Sequence, residues 1–156
     1  MSTTRVTAHL AAPPATVYAA LVDADAVAAW KFPAEMTCEV HHFESREGGT
    51  FRVSLTHRAP DRVGKSTAHT DTYRGRFVTL VPGELVVEVD EFETQDPALQ
   101  GEMTITISLS DARGGTDLVA VHEGLPRGVE TSDNETGWRE ALLRLAALVE
   151  ERSTPG

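Results

Sequence analysis

The sequence predicts a single α+β domain, in which a curved antiparallel sheet of six or seven strands wraps around one long C-terminal helix. Segments rich in β-branched and aromatic residues follow one another between turn residues over positions 36–124. Apolar residues recur at helical spacing near the C-terminus. A chain of 156 residues has the length of one ordinary domain. We therefore expect residues 1–152 to form this domain and residues 153–156 to form a flexible tail.

The N-terminal part of the chain predicts one strand followed by two short helices. Apolar and polar side chains alternate over residues 4–10, as expected of a half-buried strand. A proline pair would end that strand and preset the first turn of a helix over residues 15–21. Asp23 or Asp25 can cap a second short helix that ends near Trp30.

Six further segments predict strands joined by hairpin turns. They are residues 36–44, 50–57, 72–80, 84–93, 102–110 and 116–124. Consecutive strands with hairpin-type connections favour an antiparallel meander. The polar stretch between the second and third segments is interpreted as a long hairpin loop over 57–72.

The last segment predicts a long amphipathic helix. Ser132 and Glu135 have the spacing of a capping box, which would make Ser132 the N-cap of the helix. Trp138, Leu142 and Leu145 fall on one face of this helix. An antiparallel sheet needs its apolar face covered, and this helix is the available cover. Because a strongly curved sheet cannot close completely on one helix, we expect a hollow between them.

Composition and charge exclude several kinds of partner. The net charge of −10 disfavours binding to nucleic acids and to anionic membranes, since phosphate binding needs a basic surface. A single cysteine excludes an internal disulfide and a cysteine-based zinc site. No apolar run is long enough for a membrane helix, and the N-terminus lacks the apolar core of a signal peptide. We expect an acidic cytoplasmic protein with no membrane span.

A set of short motifs, in this order of elements, resembles one known superfamily. The motifs are Ala12-Pro13-Pro14-Ala15-Thr16-Val17-Tyr18, Asp23 through Trp30-Lys31-Phe32-Pro33, Phe43 through Gly48-Gly49-Thr50-Phe51, Tyr73-Arg74-Gly75-Arg76-Phe77, Pro82 and Gly137-Trp138. Together they run through nearly the whole chain. The chain resembles the helix-grip fold of the START-like and pollen-allergen-like superfamily (SRPBCC). The closer resemblance is to the branch of homologues of the activator of heat-shock-protein-ninety ATPase, although family members often carry Trp where Tyr18 stands.

This resemblance implies the helix-grip fold and an apolar cavity between the sheet and the C-terminal helix. It implies no particular reaction, because one fold hosts many functions. We favour non-catalytic binding of a small hydrophobic or amphipathic ligand, without a cofactor. One alternative is a cyclase, dehydratase or hydrolase on the same scaffold. Another is a co-chaperone-like interaction module linked to the stress response, and an unpaired strand edge could also support a homodimer.

Candidate ligand-binding residues are the apolar and aromatic side chains expected to face the hollow. They are Trp30, Met36, Phe51, Tyr73, Phe77, Val87, Val89, Ile105, Ile107, Trp138, Leu142 and Leu145. Packing in the core is the alternative role of the aromatic residues among them. Gly137, inside the last helix, also has two explanations. It either leaves room for ligand beside Trp138 or allows close packing against a strand or the 125–131 loop.

Three histidines, His42, His57 and His122, are candidate polar anchors in the cavity. Each shares a strand face with apolar residues, so the three could converge on the concave side as zinc ligands. No pattern of acidic residues supports such a cluster, and we expect no metal site. A histidine that anchors a ligand or acts as a general base fits the sequence better.

Acidic residues crowd the strand segment 84–93. Alternation places Glu88 and Asp90 opposite Val87 and Val89, so we expect these two carboxylates on a solvent-exposed edge. Glu91 would then continue the valine face and reach the rim of the cavity as a fourth polar anchor. A desolvated carboxylate there would have a raised pKa and could act as a base.

Overall fold

The computed structural model describes residues 2–32, 36–57 and 70–153. In the chain order predicted from the sequence, these residues form seven strands and three helices. They are β1 (Ser2–Leu10), α1 (Pro14–Leu21), α2 (Ala24–Trp30), β2 (Met36–Phe43), β3 (Thr50–His57), β4 (Thr70–Val81), β5 (Leu85–Phe92), β6 (Met103–Ala112), β7 (Gly115–Leu125) and α3 (Thr131–Ser153). Most of the predicted 57–72 loop and the last three residues of the predicted tail lie outside the described residues.

All seven strands pair antiparallel in one sheet, in the order β1-β7-β6-β5-β4-β3-β2. Strands β2 to β7 are neighbours in sequence order, which confirms the predicted meander. Strand β1 returns to pair with β7, so β1 and β2 form the two edges of the sheet. With two short helices after β1 and a long C-terminal helix on the sheet, the predicted helix-grip α+β fold is confirmed.

The two short helices are held together by local hydrogen bonds. The Asp23 carboxylate accepts a hydrogen bond of 2.9 Å from the backbone N–H of Ala26, so Asp23 rather than Asp25 caps α2. Helix α2 ends at Trp30, where the sequence predicted its end. The buried indole N–H of Trp30 donates to the carbonyl of Ala20 on α1 at 2.9 Å. This bond keeps the end of α2, and the residues that follow it, at a defined place against the sheet.

Helix α3 packs on β1 and against both short helices. The predicted apolar stripe of Trp138, Leu142 and Leu145 is buried, as the helical spacing indicates. An N-cap at Ser132 would place the first helical residue at 133, two residues after the observed start. Helix α3 begins at Thr131, so Ser132 lies inside the first turn instead of at the N-cap.

A β-bulge in β2 changes which side chains face the sheet interior. Val40 pairs with Val53, whereas His42 pairs with Arg52, so the bulge takes up one extra residue between them. His42 therefore shares the outer face with Arg52 and is exposed. The expectation that His42 continues the face of Met36 and Val40 is wrong, because a one-residue insertion inverts the alternation.

The alternation of β5 is opposite to the one expected. Val86, Glu88 and Asp90 are buried on the inner face, and Glu88 and Asp90 are only 6% and 5% exposed. Val87 and Val89 are half-buried on the outer face, where β-branched side chains suit a pleated surface. The expected solvent-exposed edge at Glu88 and Asp90 is therefore wrong. Buried carboxylates are tolerated where a partner of opposite charge is available, and the site below supplies one.

Gly75 on β4 lets the Phe51 ring lie directly against the sheet backbone. An alanine Cβ there would lie 2.5 Å from Phe51 Cζ and 2.5 Å from the carbonyl oxygen of Val89. We expect Gly75→Ala to lower the free energy of unfolding by about 1–3 kcal/mol through overpacking. Urea denaturation followed by circular dichroism measures this change. Unchanged stability in Gly75→Ala would contradict the overpacking of Phe51 and of the Val89 backbone.

Candidate ligand-binding cavity

A cavity of about 420 Å³ lies between the N-terminal half of α3 and the inner face of the sheet. Its walls come from the residues that follow α2, from strands β3 to β7, from the segment before α3 and from α3 itself. This volume falls in the range of about 300–1,000 Å³ that is usual for small-molecule sites. The hollow expected from the mismatch between sheet and helix is therefore present.

The apolar wall of the cavity is largely aromatic. Phe32, Tyr73, Phe92 and Trp138 all line it, and the ring centroids of Phe32 and Tyr73 are 5.7 Å apart. Leu55, Met103 and Ile105 complete this surface. Since aromatic and aliphatic side chains dominate small-molecule pockets, this wall suits the apolar part of a ligand.

Three of the twelve predicted ligand-binding residues line this cavity: Tyr73, Ile105 and Trp138. A second group packs in the core, around a separate void of only about 10 Å³. This group is Trp30, Phe51, Phe77 and Ile107. Leu142 and Leu145 are also core residues, and Met36 is half-buried beside the core. The remaining two, Val87 and Val89, lie on the outer face of β5, so the prediction that they face the hollow is wrong.

Of the three predicted polar anchors whose side chains the structure describes, only His122 lines the cavity. His42 is exposed on the outer face, where its Nε2 lies 3.0 Å from the hydroxyl of Thr50. Glu91 also belongs to the outer face and accepts a hydrogen bond of 2.8 Å from Arg74. His57 is the last residue of β3, and its side chain lies outside the described part of the chain. The expected position of Glu91 at the cavity rim is wrong, because Glu91 lies with Val87 and Val89 on the outer face of β5.

His122 on β7 is held as a neutral imidazole by its hydrogen bonds. The indole N–H of Trp138 donates to His122 Nδ1 at 3.0 Å, and the Asn134 amide nitrogen lies 3.5 Å from the same atom. Because an indole nitrogen only donates, Nδ1 must be the unprotonated nitrogen, and Nε2 carries the hydrogen toward Met103 Sδ at 3.2 Å. Burial, assisted by the charge of Lys31, lowers the pKa of His122 to about 4.

A buried charge cluster of Lys31, Glu88 and Asp90 adjoins the cavity, which Lys31 and Asp90 line. Lys31 Nζ lies 3.0 Å from Glu88 Oε1 and 3.7 Å from Asp90 Oδ2. The side chains of the three residues are 13%, 8% and 6% exposed, in that order. Lys31 Nζ also lies 5.7 Å from the centroid of the Tyr73 ring. The sequence analysis did not predict this cluster. The apolar residue Val86 shares a strand face with Glu88 and Asp90, and it was the one sign that this face could be buried.

Burial and charge together set the protonation of the cluster. Burial on its own lowers the pKa of Lys31, but Glu88 and Asp90 more than offset it, so the pKa of Lys31 is raised. Burial and the neighbouring charge of Glu88 hold the pKa of Asp90 well above its ordinary value, against the opposing effect of Lys31. The ammonium group of Lys31 lies close to both carboxyl groups, and this nearby opposite charge lowers the cost of burying them.

Two side-chain oxygens of the residues that line the cavity are almost fully buried. They are Asp90 Oδ1 and Asn134 Oδ1, and neither has a partner among the described residues. Buried polar atoms in folded proteins are nearly always hydrogen-bonded, so such exceptions need an explanation.

Gly137 lines the cavity and is exposed to solvent. A Cβ built at this position would have no heavy atom within 4 Å, apart from the neighbouring residues and the backbone of its own helix turn. The alternative of close packing at Gly137 is therefore wrong, whereas room for a ligand beside Trp138 stays a prediction of the sequence.

Neither a membrane helix nor a metal cluster is found in the described part of the chain. Helices α1 to α3 include none that is both long and apolar enough to cross a membrane. In residues 2–32, 36–57 and 70–153, no three His, Cys, Asp or Glu side chains are grouped so that they could hold a metal ion.

Comparison with known proteins agrees with this architecture. A Chromobacterium violaceum protein with a known crystal structure has 35% sequence identity to this chain. The two structures align with a TM-score of 0.84 over 95% of this chain and 96% of that one. A Rhodobacter sphaeroides protein is 23% identical, with a TM-score of 0.76 over 96% and 93% of the two chains. An Arthrobacter aurescens protein is 18% identical, with a TM-score of 0.78 over 96% and 86%. These last two show the fold alone.

Sequence comparison identifies the family. No curated protein matches the chain at a significant level. The family model described as "Activator of Hsp90 ATPase homolog 1-like protein" matches residues 11–150, which is most of the chain. This match agrees with the motifs quoted above and with the helix-grip fold. The chain therefore belongs to the Activator of Hsp90 ATPase homolog 1-like family of the SRPBCC superfamily.

Proposed function

We propose that this protein binds a small amphipathic molecule in the cavity under α3, without changing it chemically. The observation that carries the proposal is the cavity of about 420 Å³, which combines an aromatic wall with buried polar groups. The apolar part of the ligand lies against Phe32, Phe92 and Trp138. Its polar end lies near Lys31, Asp90 and Asn134, which also line the cavity.

The ionisable groups of the cavity support binding more than catalysis. A general acid or base works best when its pKa is near the working pH. The pKa of His122 is lowered to about 4, and its Nδ1 already accepts the hydrogen bond of Trp138. Burial also raises the pKa of Tyr73 well above its ordinary value, so this phenol is a poor acid. Lys31 is an ammonium ion paired with Glu88, which makes it a poor nucleophile.

Acid catalysis in the same cavity is a second candidate, favoured by Asp90. Its carboxyl group is buried, lines the cavity and has a raised pKa, which are properties of a general acid. Mass spectrometry of a bound compound before and after long incubation separates the two functions. An unchanged compound supports a binding protein, whereas a product that is lost in Asp90→Asn supports an enzyme.

Filling the space at Gly137 tests the binding proposal. N-phenyl-1-naphthylamine is a neutral probe whose fluorescence rises in apolar surroundings. We expect saturable binding to the wild-type protein and at least about tenfold weaker binding to Gly137→Phe, since the new ring occupies the cavity. Gly137→Ala is the matched control. It should bind the probe normally and be more stable by about 0.5–1 kcal/mol, because alanine is the better helix former.

Two results would contradict the proposal. One is the absence of saturable binding in the wild-type protein. The other is wild-type affinity in Gly137→Phe, which would place the probe outside the cavity. A homodimer, a chaperone partner and a cytoplasmic location stay predictions of the sequence.

A further inference from the structure

Tyr73 carries a polar group that has no hydrogen-bond partner in the described part of the chain. Its side chain lines the cavity, although the residue is only 6% exposed. Its hydroxyl makes no hydrogen bond to a described residue. We propose that the ligand is a neutral carbonyl compound, whose oxygen accepts a hydrogen bond from this hydroxyl. The inference rests on the proposed function, because it names the chemical class of molecule that the same cavity binds.

The hydroxyl of Tyr73 is within reach of a ligand. The enclosed side-chain oxygens without a hydrogen bond, in the described part of the chain, are Thr4 Oγ1, Asp90 Oδ1 and Asn134 Oδ1. The hydroxyl of Tyr73 also lacks a hydrogen bond but is not one of these enclosed atoms, so it keeps accessible surface.

The cavity is the space that can supply a partner to this hydroxyl. Tyr73 borders the cavity of about 420 Å³ and also the separate void in the core. That void measures about 10 Å³, which is at the lower limit of what one water molecule needs. Buried polar groups in folded proteins are nearly always hydrogen-bonded, so a ligand in the cavity is the expected partner of Tyr73.

Neighbouring residues hold the phenol of Tyr73 in place. Tyr73 lies on β4 and pairs with Val53 of β3 and with Phe92 of β5. The centroid of its ring is 5.7 Å from that of Phe32 and 6.1 Å from that of Phe51. Close packing of this kind fixes the direction of the C–O bond. A donor that is fixed before binding loses little conformational freedom when the ligand arrives.

The hydroxyl of Tyr73 is a hydrogen-bond donor at neutral pH. Burial raises its pKa well above the ordinary value, so the phenol keeps its hydrogen. A phenol donates more readily than it accepts, because its oxygen lone pair is delocalised into the ring. A carbonyl oxygen only accepts hydrogen bonds and is therefore the matching group.

The charges beside Tyr73 favour a neutral ligand. Lys31 Nζ lies 5.7 Å from the centroid of the Tyr73 ring, 3.0 Å from Glu88 and 3.7 Å from Asp90. A cationic group beside Tyr73 would be repelled by Lys31. A carboxylate would compete with Glu88 and Asp90 for the same ammonium group. Burying a charge without a partner of its own is costly, whereas a neutral carbonyl needs only a donor.

Two probes of the same shape test this inference by displacement of N-phenyl-1-naphthylamine at pH 7. 1-Acetonaphthone has a carbonyl group where 1-ethylnaphthalene has a methylene group. The ratio of their dissociation constants, hydrocarbon over ketone, measures the selectivity for a carbonyl oxygen. 1-Naphthoate carries a negative charge on the same ring system, and we expect it to bind at least about tenfold more weakly than the ketone.

Tyr73→Phe removes the hydroxyl and keeps the ring. It should lower the selectivity ratio by about threefold to tenfold through weaker binding of the ketone, which is the usual contribution of one hydrogen bond. Binding of the hydrocarbon should stay within about twofold. Tyr18→Phe is the matched control and should retain the ratio, because Tyr18 is the other tyrosine of the chain and lies on α1, outside the cavity wall. Urea denaturation should show no loss of stability in Tyr73→Phe, since no described residue loses a hydrogen bond.

Nuclear magnetic resonance of the bound ketone detects the hydrogen bond directly. A carbonyl carbon resonates further downfield when its oxygen accepts a hydrogen bond. 1-Acetonaphthone that is isotope-labelled at this carbon should therefore resonate further downfield in the wild-type protein and in Tyr18→Phe than in Tyr73→Phe. A purely structural role of Tyr73 would leave this resonance unchanged.

The outcomes separate the inference from the function on which it rests. If N-phenyl-1-naphthylamine shows no saturable binding, the proposed function and the inference fail together. If it binds but the ketone does not displace it, or if 1-naphthoate binds as tightly as the ketone, the cavity still binds small molecules and the inference is overturned. A selectivity ratio that is unchanged in Tyr73→Phe, or that falls equally in Tyr18→Phe, would likewise overturn the assignment to Tyr73.

Discussion

Lys31→Met is expected to lower the free energy of unfolding by about 3–5 kcal/mol, because it leaves buried carboxyl groups without their cation. Lys31 Nζ lies 3.0 Å from Glu88 and 3.7 Å from Asp90, and all three side chains are largely buried. Methionine retains most of the volume of the lysine stem, so the loss reflects charge more than packing. Urea denaturation at pH 7, followed by far-ultraviolet circular dichroism, measures the change.

An exposed ion pair on the other face of the sheet provides the control for this prediction. Arg74 donates to Glu91 at 2.8 Å, but the Arg74 side chain is 59% exposed. Arg74→Met should cost no more than about 1 kcal/mol, as is usual for surface ion pairs. Adding Glu88→Gln to Lys31→Met should recover part of the lost stability, because it removes one unpaired charge. Equal losses in Lys31→Met and Arg74→Met would contradict the buried role of Lys31.

His122 is expected to make the protein sensitive to acid. Its pKa is lowered from 6.5 to about 4 in the folded protein, by burial and by the charge of Lys31. Between about pH 6.5 and pH 4, the imidazole of His122 is protonated in the unfolded chain but not in the folded protein. The stabilisation is therefore complete above about pH 6.5 and is lost as the pH falls toward 4. The loss over this range amounts to about 3 kcal/mol.

Comparison with His122→Gln isolates this effect. Glutamine cannot titrate, and its amide oxygen can still accept the hydrogen bond of Trp138. Asp90 contributes the opposite trend, because its raised pKa makes stability decrease as the pH rises from about 4. Both proteins retain Asp90, so the difference between their unfolding free energies at each pH reports His122. Parallel stability curves from pH 7 to pH 4 would contradict the prediction.

The order of elements was predictable because it depends on local periodicity. A period of two in residues 102–110 and a helical stripe through Trp138, Leu142 and Leu145 are each visible within one segment. The turn residues between segments limited the connections, so the meander followed. The hollow also followed, since one helix cannot cover the whole sheet.

The faces of two strands were not predictable from the same pattern. The bulge between Val40 and His42 inverts the alternation of β2, although no residue at that position requires it. In β5, Val86 and Val87 are equally apolar, so either alternation satisfies the local pattern. The burial of Glu88 and Asp90 was decided by Lys31, which lies 57 residues before Glu88 in the chain.

The amino-acid sequence was sufficient for the architecture, the cavity between sheet and helix, and the places of Tyr73, Ile105 and Trp138 in its wall. The buried cluster of Lys31, Glu88 and Asp90 beside that cavity could be recognised only in the folded structure. A carboxylate can be buried only where another element brings the opposite charge within a few ångströms. Here the end of α2 brings Lys31 to β5, and α3 brings Trp138 to His122 on β7. Contacts between segments that are distant in sequence cannot be predicted from the hydrophobic periodicity of either segment.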